Sequence, residues 1–332
     1  MVGVAVVGTG YWGKNHVRVW REMLAEGRID RLVVCDIDPG RAQKFARMFD
    51  IEAITDYRTL LRDEGIDCLS IVTPSQTHAQ LATECMRAGK DVLVEKPMTM
   101  DSTHAEQMVA VAAETKAVLM VGHIFRYHPA VQELTRRIKR RDLGDLFYLH
   151  TNRLAYSAPR RDMGVLWALG IHEVDIYCDL MGVHYPNALR AQWGCHVLPG
   201  IDDHALLTLE FGGDTQGTAV ESWLSPGNAK QRDLLVVGKR MSARVDYLKP
   251  NHLQLFDVSV SEVEEAGGGS HLQLDDEGSH TITTPYSEPL RNELDHFLRC
   301  HKERDRPITD GATGLRAVRM IEAVLAHKGT VG

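Results

Sequence analysis

Met1-Val-Gly-Val-Ala-Val-Val-Gly8-Thr-Gly10-Tyr-Trp-Gly13 is the stretch on which the fold turns. Val4-Ala5-Val6-Val7 is a short apolar run rich in β-branched residues and predicts a buried strand. Gly8, Gly10 and Gly13 follow at once as G-x-G-x-x-G. The first glycine permits a tight turn, the second lets backbone approach a pyrophosphate, and the third lets the next helix pack close to the strand. That helix starts near Trp12, where free N–H groups and the helix dipole favour phosphate charge. Arg31-Leu-Val-Val-Cys-Asp36 predicts a second strand, and it ends on an acidic residue placed to bond an adenosine ribose. Strand, glycines, helix, strand and Asp together point to a dinucleotide; the plain alternative is a glycine turn in an inert α/β domain. The cofactor contacts are therefore assigned to Gly8, Thr9, Gly10, Tyr11, Trp12 and Gly13, with Asp36, Ile37 and Arg41 at the ribose end. The carboxylate of Asp36 favours NAD over NADP, because it would repel a 2′-phosphate; Arg41 softens that preference.

Composition narrows the field. The chain has 332 residues, enough for two domains. A net charge of −7 with no basic tract argues against nucleic acid as a partner. No apolar run approaches a membrane span, and the N-terminus enters a strand directly, so neither a membrane nor a signal peptide is expected. The six cysteines form no C-x-x-C pair, and Cys35 and Cys68 fall in predicted strands, so reduced core thiols and a cytoplasmic location are expected.

Strands and helices alternate as far as Val118-Leu-Met-Val121. This predicts an N-terminal Rossmann domain, a doubly wound parallel sheet over residues 1–125, with ligands at the carboxyl ends of its strands. Those ends carry Gly8 to Gly13, Asp36, Thr73-Pro74, Glu95-Lys96-Pro97 and His123. After residue 125 the pattern changes. Helices are predicted at Pro129 to Arg140 and Val165 to Met181, and a run of strands between Ala188 and Val258. That is an α+β domain over 126–332, built on a large, mostly antiparallel open sheet whose free face is a candidate homodimer or homotetramer surface. Ser261 to His280, with three consecutive glycines and six acidic residues, reads as a solvated loop or loose hairpin. Leu290 to Cys300 and Thr313 to His327 read as closing helices, the second packing back on the first domain.

Two motifs carry chemistry. Lys96, at a strand end beside a nicotinamide site, could orient a substrate hydroxyl and steady a developing alkoxide, or be an ordinary surface lysine. His172 and Asp175 lie three apart on a predicted helix, and a histidine suits a general base; the alternative is a histidine in a helix interface. His123 and His128 flank Ile124-Phe-Arg126-Tyr127 and could face the same cleft. No H-x-x-x-H or H-E-x-x-H spacing suggests a metal.

Gly8-Thr-Gly-Tyr-Trp-Gly13 with Asn15-His16, Thr73-Pro74 with Thr77-His78, Glu95-Lys96-Pro97, Gly122 through Pro129, and Gly170-Ile-His172-x-x-Asp175 together resemble the glucose–fructose oxidoreductase, inositol dehydrogenase and MocA family. The resemblance implies oxidation of a secondary hydroxyl of a sugar or cyclitol with NAD(P). It implies that Thr73, Pro74, His78 and Glu95 line the cofactor, that Lys96 touches the reacting hydroxyl, and that His172 is the base. From their positions near the cleft and the His172 helix, His123, Arg126, Arg153, Tyr156, Arg160 and Asp175 are assigned toward substrate. Arg153, Arg160 and Arg161 could grip a diphosphate or a carboxylate, or belong to a solvated basic loop. Many members carry Asp four residues before the catalytic His, and this chain has Ala168. That departure, with Trp12-Gly-Lys-Asn-His16, looks more like the nucleotide-sugar branch, similar to UDP-N-acetylglucosaminuronate dehydrogenases. A free-sugar or inositol dehydrogenase and a cofactor-binding sensor without turnover stay open as alternatives.

Overall fold

The computed structural model of the chain describes residues 2–227, 230–249, 251–264 and 268–326. They form two compact units: one runs to Ile124 and adds Leu290–Glu322, the other is Phe125–Pro289 with the residues after Glu322.

In the first unit β1 (Gly3–Val7), α1 (Gly13–Ala25), β2 (Arg31–Cys35), α2 (Pro39–Phe49), β3 (Glu52–Ile54), a short α3 (Arg58–Leu61), β4 (Cys68–Ile71), α4 (His78–Arg87), β5 (Asp91–Glu95), α5 (Ser102–Thr115) and β6 (Leu119–Gly122) alternate. The six strands stand in the order β3-β2-β1-β4-β5-β6, every pair parallel. This is the doubly wound sheet read from the sequence. All residues of β1, β4, β5 and β6 are buried, as a sheet covered on both faces requires. Local chemistry starts the helices: Asp38 accepts from Gly40 N and Arg41 N ahead of α2, and Asp101 accepts from His104 N ahead of α5. The strand order reverses between β1 and β4, which places the Gly8–Gly13 turn and Thr73-Pro74 side by side at the switch point.

The second unit holds α6 (Pro129–Lys139), β7 (Leu146–Leu154), a π-helical turn at Leu166–Gly170 running into α7 (Ile171–Met181), and β8 (Ala188–Gly194) to β12 (Ser242–Asp246). Its sheet is eight-stranded, with β7 and β10 (Gln216–Ser222) parallel and the other pairs antiparallel. In β9 (His204–Glu210) Ala205, Leu207 and Leu209 are buried and alternate with more exposed neighbours, the mark of one covered face. Tyr177 fastens α7 to the sheet: its hydroxyl donates to Thr218 O at 2.7 Å and accepts from Thr151 Oγ1 at 2.8 Å.

Of the two forms expected for the acidic stretch, loop or loose hairpin, the chain takes the hairpin. The acidic stretch Ser261 to His280 is largely strand: β13 (His252–Glu264) pairs with β14 (Ser270–Thr283) from His252↔Thr283 to Glu264↔Ser270, with a register shift at Phe256/Val258. Residues 265–267 lie outside the described set. Beyond the shift Leu272 and Leu274 are 73% and 79% exposed, so this part of the ribbon is held by its backbone ladder rather than by a covered apolar face.

The closing helices are α8 (Pro289–Glu303) and α9 (Gly311–Ala326); His327 lies outside the described residues. Within the first unit α8 seats Leu290, Leu294, Phe297 and Leu298 in the core. Its C-terminal end supplies His301 and Arg304 to the buried Asp91 at the start of β5, His301 Nδ1 lying 2.6 Å from Asp91. Among the described residues no helix is long and apolar enough to cross a membrane.

Candidate active site

The first unit builds a cofactor cradle at the carboxyl ends of its strands. Gly8 has φ +99°, and a Cβ there would stand 2.6 Å from Val72 O. The turn it allows leaves α1 with no side-chain cap and no acidic residue in its first turn. An N-terminus so arranged suits an anion. A cavity of about 710 Å³ opens beside it, lined by Gly8, Gly10, Asp36, Ile37, Arg41, Thr73 and Pro74 among others. A Cβ on Gly10 would meet nothing within 4 Å, so this backbone is open to a ligand. These features fit a bound dinucleotide.

At the ribose end Asp36 is nearly buried. One carboxylate oxygen accepts from Thr9 N and Oγ1 at 2.8 and 2.7 Å; the other accepts from Asp38 N at 2.9 Å and Arg41 Nη2 at 3.0 Å. Burial would raise its pKa, but the bonds from Asp38, Thr9 and Arg41 outweigh that and lower it, so the carboxylate stays ionised. Tyr11 and Ile37 stand almost fully exposed at the rim.

Glu95 ends β5 and gathers the elements around it. Its Oε1 accepts from Trp12 Nε1 at 2.7 Å and lies 3.0 Å from His16 Nε2, and its Oε2 accepts from Lys96 N at 3.1 Å. Burial would raise the Glu95 carboxyl, but His16, Lys96 and Trp12 hold it below its ordinary value. The Lys96–Pro97 bond is cis. His78 is buried, with Nδ1 3.0 Å from Pro97 O and Nε2 2.8 Å from Thr73 O. Burial lowers its pKa, so the neutral ring donates to one of the two carbonyls. His78 thus sits between the two strand-end loops and is bonded to one of them. His123, just after β6, is also buried.

Sequence reasoning passed over Glu293. It is fully buried on α8, and neither carboxyl oxygen has a hydrogen-bond partner. Burial and the charge of Glu95 push its pKa well above the ordinary range. The signal was present: Leu290, Glu293, Leu294 and Phe297 share one helical stripe, and a lone acid on an apolar stripe is a buried acid.

In the second unit the π-turn delivers His172 to α7, where it is 5% exposed. Asp202 starts that turn by accepting from Leu166 N at 2.8 Å. The Phe125 ring meets the His172 ring edge-to-face, 4.7 Å between centroids at 87°. Arg126 donates to Asp175 at 3.1 Å and Asp179 at 2.7 Å, which keeps it cationic and occupied. Arg153 departs from the reading that put it toward substrate. It is interior, 2% exposed, paired with Glu173, and stacked against Phe125 and Tyr247. Tyr156 is 77% exposed, and Arg160 pairs with Asp162 at 2.9 Å.

Among the described residues one trio has metal-ligand spacing, Cys68, Asp91 and His301 within 4.8 Å. Arg304 occupies the same carboxylate, and a cation there opposes a metal. The trio lies at the opposite strand ends from the cradle.

The model of an oxidoreductase family with an NAD-binding Rossmann fold matches residues 2–123, and that of the family's C-terminal α/β domain matches 135–328. The chain is 29% identical over 316 residues to the UDP-N-acetylglucosamine 3-dehydrogenase of Acidithiobacillus ferrooxidans, covering 94% of this chain and 93% of that one. It is 27% identical to the NAD-dependent scyllo-inositol 2-dehydrogenase of Bacillus subtilis, covering 92% and 88%. A solved structure of the Acidithiobacillus enzyme aligns with TM-score 0.80 at 26% identity, over 98% of this chain and 97% of that one. A levoglucosan dehydrogenase with NADH and levoglucosan shares the fold, with TM-score 0.83 at 20% identity over 98% and 96%.

Proposed function

We propose that this chain, which belongs to the glucose–fructose oxidoreductase, inositol dehydrogenase and MocA family of NAD-dependent oxidoreductases, oxidises a secondary hydroxyl of a nucleotide-linked sugar. When bound, the nicotinamide ring supplies the acceptor for the carbon-bound hydrogen. The unblocked N-terminus of α1, beside an open Gly10 and an ionised Asp36, is the observation that carries the cofactor part of the reading.

Each protein residue then has a task. The amides of the Gly8–Gly13 turn receive the pyrophosphate, and Asp36 receives ribose hydroxyls, with half-exposed Arg41 the partner free to move aside. Glu95 fixes the start of the Lys96 loop through the Lys96 amide. The Lys96 ammonium steadies the substrate oxygen as negative charge grows on it. His172 takes the hydroxyl proton. Arg160 and Tyr156, both exposed, are the groups of the Leu154 to Met163 segment we assign to a substrate phosphate or carboxylate.

The full-length similarity to a UDP-N-acetylglucosamine dehydrogenase supports a nucleotide-linked substrate, as does Ala168 in place of the family Asp. The inositol dehydrogenase relative favours the second reading, a free cyclitol or sugar. We infer a cytoplasmic homo-oligomer from six unpaired cysteines and the exposed Phe147, Tyr148 and Leu206 of the open sheet. The test is formation of reduced nicotinamide with UDP-N-acetylglucosamine, its uronate, scyllo-inositol and myo-inositol. Turnover of the UDP-sugars and its loss in Lys96→Ala are expected. Turnover of inositol alone would decide for the second reading. Tight NAD binding with no turnover of any would mark a sensor.

A further inference from the structure

We propose that Arg153 is a positioning residue for His172, acting through the ring of Phe125; the inference rests on His172 being the base. Arg153 sits in β7 directly opposite Glu221 of β10, in the middle of the sheet. Burying a guanidinium is costly without partners. Here the partner is Glu173, the residue next to His172 on α7. The flat guanidinium also lies between two rings, 4.1 Å from the Phe125 centroid and 4.7 Å from that of Tyr247.

Arg153 therefore reaches the His172 turn by two routes. One is the ion pair to the adjacent Glu173. The other is the stack on Phe125, whose ring in turn packs edge-on against His172. Phe125 and Tyr247 also touch, at 4.7 Å between centroids, so the three groups brace one another. Phe125 needs such bracing, because it lies on a single 3-10 turn, Ile124–Tyr127.

Stability alone does not call for an arginine here. A buried ion pair is often matched or bettered by apolar residues of the same volume. Phe125 could also pack on an aliphatic side chain. A planar cation that pairs with Glu173 and stacks on Phe125 at once fixes an angle, and the imidazole beside that ring is the group with a use for a fixed angle. A lysine in its place would keep the charge and lose the flat face.

The experiment follows His172 directly in full-length protein labelled with ¹³C-histidine. The His172 ring resonances are assigned by their disappearance in His172→Gln. In Arg153→Lys they should move by more than a linewidth, while those of His78 and His301 in the other unit stay in place. Phe125→Leu, which leaves the Arg153–Glu173 pair intact, should move them too. Unmoved His172 resonances in either folded variant overturn the proposal. Turnover of UDP-N-acetylglucosamine with NAD supplies the second arm. Arg153→Lys should lower kcat on the order of tenfold. The same change in a His172→Gln background should lower it no further. A full additional loss there means that Arg153 acts elsewhere. Parent-level turnover in His172→Gln itself sinks the base reading, and the resonances then decide the positioning claim alone.

Discussion

Gly10→Ala separates binding from folding more cleanly than any other change in the cradle. The methyl group would meet nothing within 4 Å in the free protein, and Gly10 is outside the left-handed region. Stability should thus hold within about 0.5 kcal/mol, or rise slightly because alanine restricts the unfolded chain. Binding is another matter. The methyl occupies the space through which a pyrophosphate approaches the turn. Losing one charge-assisted amide bond there costs about 1.5–3 kcal/mol, or roughly a 10- to 150-fold weaker Kd. Gly13→Ala is the opposite case, since its Cβ would overlap the carbonyl oxygen of Gly8. That backbone collision should remove several kcal/mol, on the order of 3 or more, before any ligand is added. The assay pairs urea denaturation with a calorimetric titration of NAD for each variant. A Gly10→Ala protein that binds NAD within twofold of the parent would refute the reasoning. So would a Gly13→Ala protein as stable as the parent.

Three further outcomes follow from the buried groups. Glu293 has its pKa raised in the folded state, so folding takes up a proton above about pH 4.3, and stability falls as pH rises toward the folded value. Glu293→Gln should remove that slope, giving a gain in urea midpoint that grows from pH 5 to pH 8; a constant difference would contradict the assignment. Asp91 is the reverse: burial raises its pKa, but His301, Arg304 and Val118 N bring it down, so its contribution is present at neutral pH and lost on acidification through the folded value. Asp91→Asn should lower stability by about 1–3 kcal/mol at pH 7, and the deficit should narrow in acid; an equal deficit at every pH would count against the cluster. Cys195 alone of the six cysteines is exposed, and burial raises Cys35 and Cys85 to about 12. An aromatic disulfide reagent should therefore titrate one thiol fast in native protein and six after unfolding.

Most of the first unit was legible because its signals are local. A β-branched run, three glycines and a terminal Asp fall within thirty-six residues, and each is explained by a turn, a helix start or a strand end. The second unit was legible only in outline. Beyond its register shift the β13–β14 ribbon alternates only briefly, at Val258-Ser-Val260-Ser and Leu272-Gln-Leu274, and those short runs are broken by the acidic and glycine residues around them. The π-turn before His172 has no signature apart from Asp202, thirty-six residues after Leu166, and that pairing cannot be read from spacing. Arg153 shows the limit of local reading: an arginine near the His172 motif reads as a ligand contact, while its partner Glu173 and the rings of Phe125 and Tyr247 come from other stretches. Glu293 could have been found from its stripe.

The split make-up of the first unit has a consequence for biosynthesis. A ribosome releases β6 some 165 residues before it releases α8, with the Phe125–Pro289 part of the second unit made in between. Throughout that interval Asp91 lacks His301 and Arg304, and the nonpolar patch of Met98, Leu119 and Val121, which Gly311 and Gly314 of α9 later abut, has no cover. A gene fragment ending at Ile124 should therefore yield aggregated product unless residues 290–322 are supplied in trans.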